Sequence, residues 1–296
     1  MGLIKTDAKL ASRDPASIPW EDEPHKAWQA HRMQVYAAMV TEMDTAIGRI
    51  VEALTATGKL ENTLLVFLSD NGGSNEGHLH NTIERMKQPW TSSMIPENAP
   101  DGTPVRAGDW PGEKLGGPAT YGSYGPRWAN VSNTPFRRHK SWVHEGGIAT
   151  PCIIHWPAQI KIPRITHQPA HLIDMMPTFA EVGSTKRPTT EGSSLIPEFI
   201  GKTIGDRAFG WEHEGNRAFR MGNWKIVSEF PGTWKTMYPY QNQGRWELYN
   251  LETDRSELND LVGNHPEKLN ELATAYEKWA KRVGVVTWEN LERKRE

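Results

Sequence analysis

Residues 62–78 read NTLLVFLSDNGGSNEGH, five consecutive apolar residues that give way at once to Ser69-Asp70-Asn71-Gly72-Gly73. An unbroken apolar run of strand length, with no polar alternation, is the pattern of a strand covered on both faces. Ligands of open α/β sheets sit beyond the carboxyl ends of strands, which is where Asp70 and Asn71 fall. A carboxylate beside a carboxamide offers the oxygen donors that hard cations such as Ca²⁺ or Mg²⁺ take, and Gly72-Gly73 permits a sharp turn behind them. The alternative is a plain strand-ending turn, in which Asp and Asn bond nearby backbone groups.

Upstream, HRMQVYAAMVTEMDTAIGRIVEALTATG (31–58) repeats Tyr36, Met39, Val40, Met43, Ile47, Ile50, Val51 and Leu54 at helical steps and stops at Gly58. Helix, short link and buried strand together indicate an α/β sheet. Downstream, periodicity lapses from Asn71 to Pro135, and the aromatics Trp90, Trp110, Tyr121, Tyr124 and Trp128 favour an ordered functional covering over a solvated linker. GIATPCIIHWP (147–157) reads as a second buried strand, and HLIDMMPTFAEVG (171–183) as a helix closed by Gly183. From about residue 205 the texture changes to strand-like RAFRMGNWKIVSEF and RWELYNLE, with Gly222-Asn223 as a hairpin turn, followed by the helix HPEKLNELATAYEKWAKRV. The expected division is residues 1–204 as an α/β domain carrying the long loop 71–135, and 205–296 as a small α+β subdomain.

The 34 Lys and Arg against 36 Asp and Glu give a net charge of -2, so electrostatics provide no case for a nucleic-acid or membrane-surface partner. No apolar run approaches the roughly 20 residues that a membrane-spanning helix needs, and the start MGLIKTDAKLASRDP is polar. The single Cys152 excludes an internal disulfide; its apolar setting, TPCIIHWP, points to a buried structural thiol.

Dense charge appears in NVSNTPFRRHKSWVHEGGIATP (130–151), where Arg137, Arg138, His139, Lys140, His144 and Glu145 crowd together ahead of a strand. Such a cluster could bind an oxyanion through guanidinium forks or an ammonium, or could be a solvated basic face. His78 and His80 with His139 or His144 would be a zinc alternative, and the patch around His213 reads as a strand entry.

The order of these motifs resembles the C-terminal part of the arylsulfatase family, of alkaline-phosphatase-like fold, over roughly residues 15–290: VYAAMVTEMDTAIGRIV, NTLLVFLSDNGG, YGPRWANVSNTPFRRHKSWVHEGGIATP, HLIDMMPTF, WEHEGNRAFRMGNWKIV and WELYNLETDRSELNDL. The resemblance implies an α/β mixed sheet flanked by helices, N-terminally incomplete, with a small C-terminal α+β subdomain. It implies that Asp70 and Asn71 are ligands of a divalent cation, Ca²⁺ in most members with Mg²⁺ as the alternative. It makes Lys140 the catalytic lysine that contacts the sulfate as charge develops on its oxygens. The implied activity is hydrolysis of sulfate esters, on a sulfated small molecule or carbohydrate, by proteins that are commonly exported.

The family's nucleophile is a formylglycine made within Cys-x-Pro-x-Arg or Ser-x-Pro-x-Arg, and neither pattern occurs in this sequence: Cys152 is followed by Ile153-Ile154-His155. The acidic pair that supplies further metal ligands is also missing. The expectation is therefore a truncated sulfatase, inactive alone, for which an N-terminal fragment would be a partner. The rival readings are a non-catalytic binder of sulfated ligands and a phosphate or phosphonate ester hydrolase of the same superfamily.

Overall fold

The computed structural model describes residues 9–14, 17–76, 95–107, 111, 114–230, 244–287 and 290. Helix α1 spans Lys26–Ala56. A 3-10 turn, Leu60–Asn62, then leads into β1, Leu65–Leu68. Two short strands, β2 (Arg106–Ala107) and β3 (Thr120–Tyr121), pair in parallel ahead of α2, Gly125–Ser132. Next come α3 (Glu145–Ile148), β4 (Cys152–His155), α4 (Met175–Val182) and α5 (Ile196–Phe199). The C-terminal part comprises β5 (Ala208–His213), β6 (Asn216–Met221), β7 (Trp224–Ser228), β8 (Glu247–Asn250) and α6 (Pro266–Val283). No helix among the described residues is long and apolar enough to cross a membrane.

The two apolar runs pair with each other: β1 and β4 are antiparallel, with Leu65 opposite His155 and Leu68 opposite Cys152. One side of this ribbon packs through Leu64 and Ile154 onto Trp156, Leu195 and Phe199. The other side corrects the expectation of strands covered on both faces, because Phe67 is 39% and Ile153 61% exposed. Cys152 is likewise exposed, not a buried thiol: it opens β4, at the end of the ribbon opposite Leu68. An apolar run therefore reported which residues suit a sheet interior; it did not establish that a second layer is in place.

A similar contrast runs along α1. Near its start Arg32 Nε donates to Ser123 O (2.8 Å), the Trp128 indole N–H donates to Gln29 O (2.9 Å), and the Tyr36 ring stacks on Tyr124 at 4.6 Å. Beyond that turn, Met39 (65% exposed), Val40, Met43, Ile47 and Ile50 face outward. The region 71–135, read as aperiodic, contains α2, whose first residues Gly125-Pro126 obey the preference for proline in the first helical turn.

In the C-terminal part four antiparallel strands run in the order β5-β6-β7-β8, and Gly222-Asn223 forms the two-residue turn between β6 and β7. Alternation gives each strand two apolar faces. Phe219, Ile226 and Leu248 pack with Leu272, Tyr276 and Ala280 of α6. Their neighbours in sequence, Ala218, Val227 and Tyr249, turn the opposite way and pack with Leu251 on Val143, with Ile148 beside them. The sheet is thus held between its own helix and the segment that carries Lys140.

Candidate active site

Three close backbone approaches build the site. The Gly72 N–H donates to Gly147 O (2.9 Å), the Gly146 N–H to Arg137 O (2.9 Å), and the Lys140 N–H to Gly73 O (3.1 Å). A side chain would prevent this lacing: a Cβ on Gly72 would fall on the carbonyl oxygen of Gly146, and one on Gly146 would fall on the carbonyls of Arg137 and Arg138. The turn after β1 is fixed further by Asn133, whose Oδ1 accepts the Gly73 N–H at 2.8 Å, and by Thr150, whose hydroxyl donates to Ser69 O at 2.8 Å. Asp70 is exposed and Asn71 half-buried at the mouth of this turn.

The structure therefore brings the Asp70–Gly73 turn and the Lys140 segment together. Lys140 is 34% exposed at its side chain, and its ammonium lies 3.1 Å from the carboxylate of Glu76, itself 56% exposed. Among the described residues no group of three or more His, Cys, Asp or Glu side chains could by itself hold a metal ion. Asp70 and Asn71 supply two adjacent oxygen donors of the right chemistry for a hard cation, and further donors would have to come from elsewhere.

The rest of the charged cluster neither faces solvent nor waits for an oxyanion. Arg137 Nη1 donates to Tyr249 Oη (2.8 Å), Glu257 O (2.9 Å) and Glu247 Oε2 (3.2 Å). Arg138 donates through Nε to Glu229 Oε1 (2.8 Å) and through Nη1 to Asp14 Oδ2 (3.0 Å). His144, fully buried, has Nε2 at 3.3 Å from Glu247 Oε2. His139 is also fully buried, and burial with the neighbouring Arg138 charge pushes its pKa down despite Asp14. His78 and His80, the first pair of the zinc alternative, lie outside the described residues. His213 ends β5, at the hairpin to β6, as a strand-end residue.

Glu145 opens α3 and is buried with a full set of partners. Burial pushes its pKa up, but Lys225 and Arg255 more than offset this and hold it at about 2. Lys225 reaches both Glu145 Oε1 and Glu257 Oε1 at 2.9 Å, and Glu257 Oε2 accepts the Glu145 N–H at 2.8 Å. Glu247 behaves alike: burial raises its pKa, yet His144, Arg137 and the Tyr249 hydroxyl hold it well below the usual carboxylate range. Sequence reasoning missed Glu76, Asn133, Lys225, Glu247 and Glu257. One signal was present, since Lys225 sits in NWKIV, a charge inside a strand whose neighbours are all apolar.

Comparison with known proteins agrees with this architecture. The family described as Sulfatase matches residues 8–184, and the family described as N-sulphoglucosamine sulphohydrolase, C-terminal, matches 137–281. An uncharacterized sulfatase of Schizosaccharomyces pombe is 35% identical over 303 residues, covering 97% of this chain and 50% of that protein. An arylsulfatase of Klebsiella aerogenes is 32% identical over 185 residues, covering 61% of this chain and 36% of that protein. The chain thus spans half or less of the length of these relatives. Among solved structures, Ps i-CgsB in complex with k-i-k-neocarrahexaose superposes with a TM-score of 0.57 at 23% identity, over 91% of this chain and 48% of that one. A PsFucS1 sulfatase from Pseudoalteromonas sp. gives 0.53 at 20%, over 81% and 41%. Those likenesses define an α/β, alkaline-phosphatase-like fold. With the Sulfatase match running through both the turn after β1 and the Lys140 segment, the chain belongs to the sulfatase family.

Proposed function

We propose that the chain carries the sulfate-binding part of a sulfuric ester hydrolase, with Asp70 and Asn71 as ligands of a divalent cation, Ca²⁺ or Mg²⁺, and Lys140 as the cationic contact to the sulfate. The observation that carries this reading is the 3.1 Å bond from the Lys140 N–H to Gly73 O, which joins the ammonium-bearing segment to the turn that bears the two oxygen donors. A cation there would supply Lewis-acid polarisation of the sulfate oxygens. Lys140 would stabilise the charge those oxygens gain, and the Glu76 carboxylate marks the place on its ammonium where an anionic oxygen fits. The laced glycines keep both groups fixed before substrate arrives, which lowers the reorganisation needed during reaction.

The sequence has no Cys-x-Pro-x-Arg or Ser-x-Pro-x-Arg, so the family's formylglycine nucleophile would have to be supplied by another polypeptide segment. The outward faces of Phe67, Ile153, Met39 and Ile50 are where such a segment would find apolar partners. A sulfated carbohydrate is the favoured ligand class, supported by the neocarrahexaose named for Ps i-CgsB and by the aromatic pairs Trp20–Trp128 and Tyr36–Tyr124.

The test has two arms. Ca²⁺ should raise the melting temperature of the chain and Asp70→Ala should abolish the rise; no rise in the native chain would remove the metal assignment. The chain alone should leave an aryl sulfate intact and gain turnover when mixed with a polypeptide bearing the nucleophile motif. Turnover by the chain alone would refute the need for that segment.

A further inference from the structure

Lys140 is flanked by two residues with left-handed backbone, Arg138 at φ 66° and Ser141 at φ 82°. Neither type adopts that region readily, so the turn persists only if its surroundings hold it. Two groups from the C-terminal sheet do so. Arg138 is anchored by Glu229, just beyond β7, and by Asp14. The Ser141 carbonyl accepts a hydrogen bond from Asn216 Nδ2 at 3.1 Å. Asn216 is 1% exposed and opens β6 opposite His213; its own Oδ1 accepts the Phe230 N–H at 3.0 Å, which fixes the amide plane.

From this arrangement we propose that Asn216 is a positioning residue for Lys140: by gripping the carbonyl of the adjacent left-handed residue, it fixes where the ammonium points. The inference rests on Lys140 being the sulfate contact. Asn216 touches neither Lys140 Nζ nor the Asp70–Gly73 turn, so its effect is exerted through the backbone of Ser141. This differs from the role of Lys225, whose ion pairs clamp the start of α3 five residues downstream of Lys140. Because glycine adopts positive φ without penalty, Ser141→Gly should make the grip less necessary.

Hydrogen exchange of the Lys140 amide, which donates to Gly73 O, reads this directly. Asn216→Ala should accelerate that exchange by about tenfold, the scale of one lost hydrogen bond, while amides in β6 and β7 keep their rates. Adding Ser141→Gly should recover much of the loss, a rescue that general destabilisation would not show. If Asn216→Ala does not fold, Asn216→Asp takes its place, since it keeps the acceptor for Phe230 and turns the donor to Ser141 into an oxygen that repels its carbonyl. Unchanged exchange at Lys140, or acceleration spread evenly over the chain, overturns the proposal. Binding of p-nitrophenyl sulfate by calorimetry separates the two layers: Asn216→Ala should weaken it as Lys140→Ala does, and Ser141→Gly should restore it. Should Lys140→Ala bind the ester as well as the native chain, the sulfate-contact reading fails, and a local exchange response would still establish Asn216 as the restraint on this turn. Native affinity in Asn216→Ala alongside lost affinity in Lys140→Ala would exclude it as a positioning residue.

Discussion

The ammonium of Lys225 lies 2.9 Å from Oε1 of Glu145, with both side chains shut away from solvent, and so ties β7 to the first residue of the helix after Lys140. Glu257 completes the cluster at the same distance. A buried cation between two carboxylates is tolerated because each charge is paired and hydrogen-bonded.

Removing the cation should therefore be severe. Lys225→Met leaves Glu257 without its buried cation and Glu145 with Arg255 alone, and the expected loss is about 3–5 kcal/mol. Urea denaturation followed by tryptophan fluorescence measures it; a loss below about 1 kcal/mol would mean the cluster is solvated.

Acid should unfold the protein through the same groups. Glu145 has its pKa depressed from 4.5 to about 2, and Glu247 is also held low. Their contribution is full above pH 4.5 and is lost as pH falls from there toward 2, because the unfolded chain takes up the protons first. Melting temperature should drop across that window in the native chain and less steeply in Glu145→Gln, whereas parallel curves would show that Glu145 does not govern the loss.

Glu76→Gln is expected to separate stability from binding. The Lys140–Glu76 pair is partly solvated, so its loss should change stability by about 0–1 kcal/mol. With the competing carboxylate neutralised, p-nitrophenyl sulfate should bind more tightly at low ionic strength, and calorimetry showing weaker binding would argue that Glu76 assists the ligand.

Gly72→Ala tests the lacing. The new Cβ meets the Gly146 carbonyl, which must move, at an expected cost of about 1–3 kcal/mol. The Lys140 amide should lose protection with it, and a fully native melting curve would show that the two turns are not in close contact.

Much of the fold was legible from residue spacing. The long helix ending at Gly58, the Gly222-Asn223 hairpin and the helix from Pro266 all occur where periodicity and turn chemistry put them. The short helix α2 escaped because eight residues with two prolyl and glycyl positions at the start carry too little periodicity to read. The charged run 137–145 was legible as important but ambiguous in direction. Arg137 and Arg138 turn inward to carboxylates more than 90 residues away or on the N-terminal segment, and pairing over such separations leaves no local pattern.

Taken by itself, the order of residues determined the elements, the family resemblance and the oxygen-donor pair after β1, because these depend on local spacing and residue chemistry. Tertiary structure alone decided which faces are covered, which charges are paired and that Lys140 sits beside Gly73. Burial and ion pairing depend on which distant segments fill a given space. That is why an apolar strand can be half open, and why a basic cluster can leave a single partly solvated ammonium at the site.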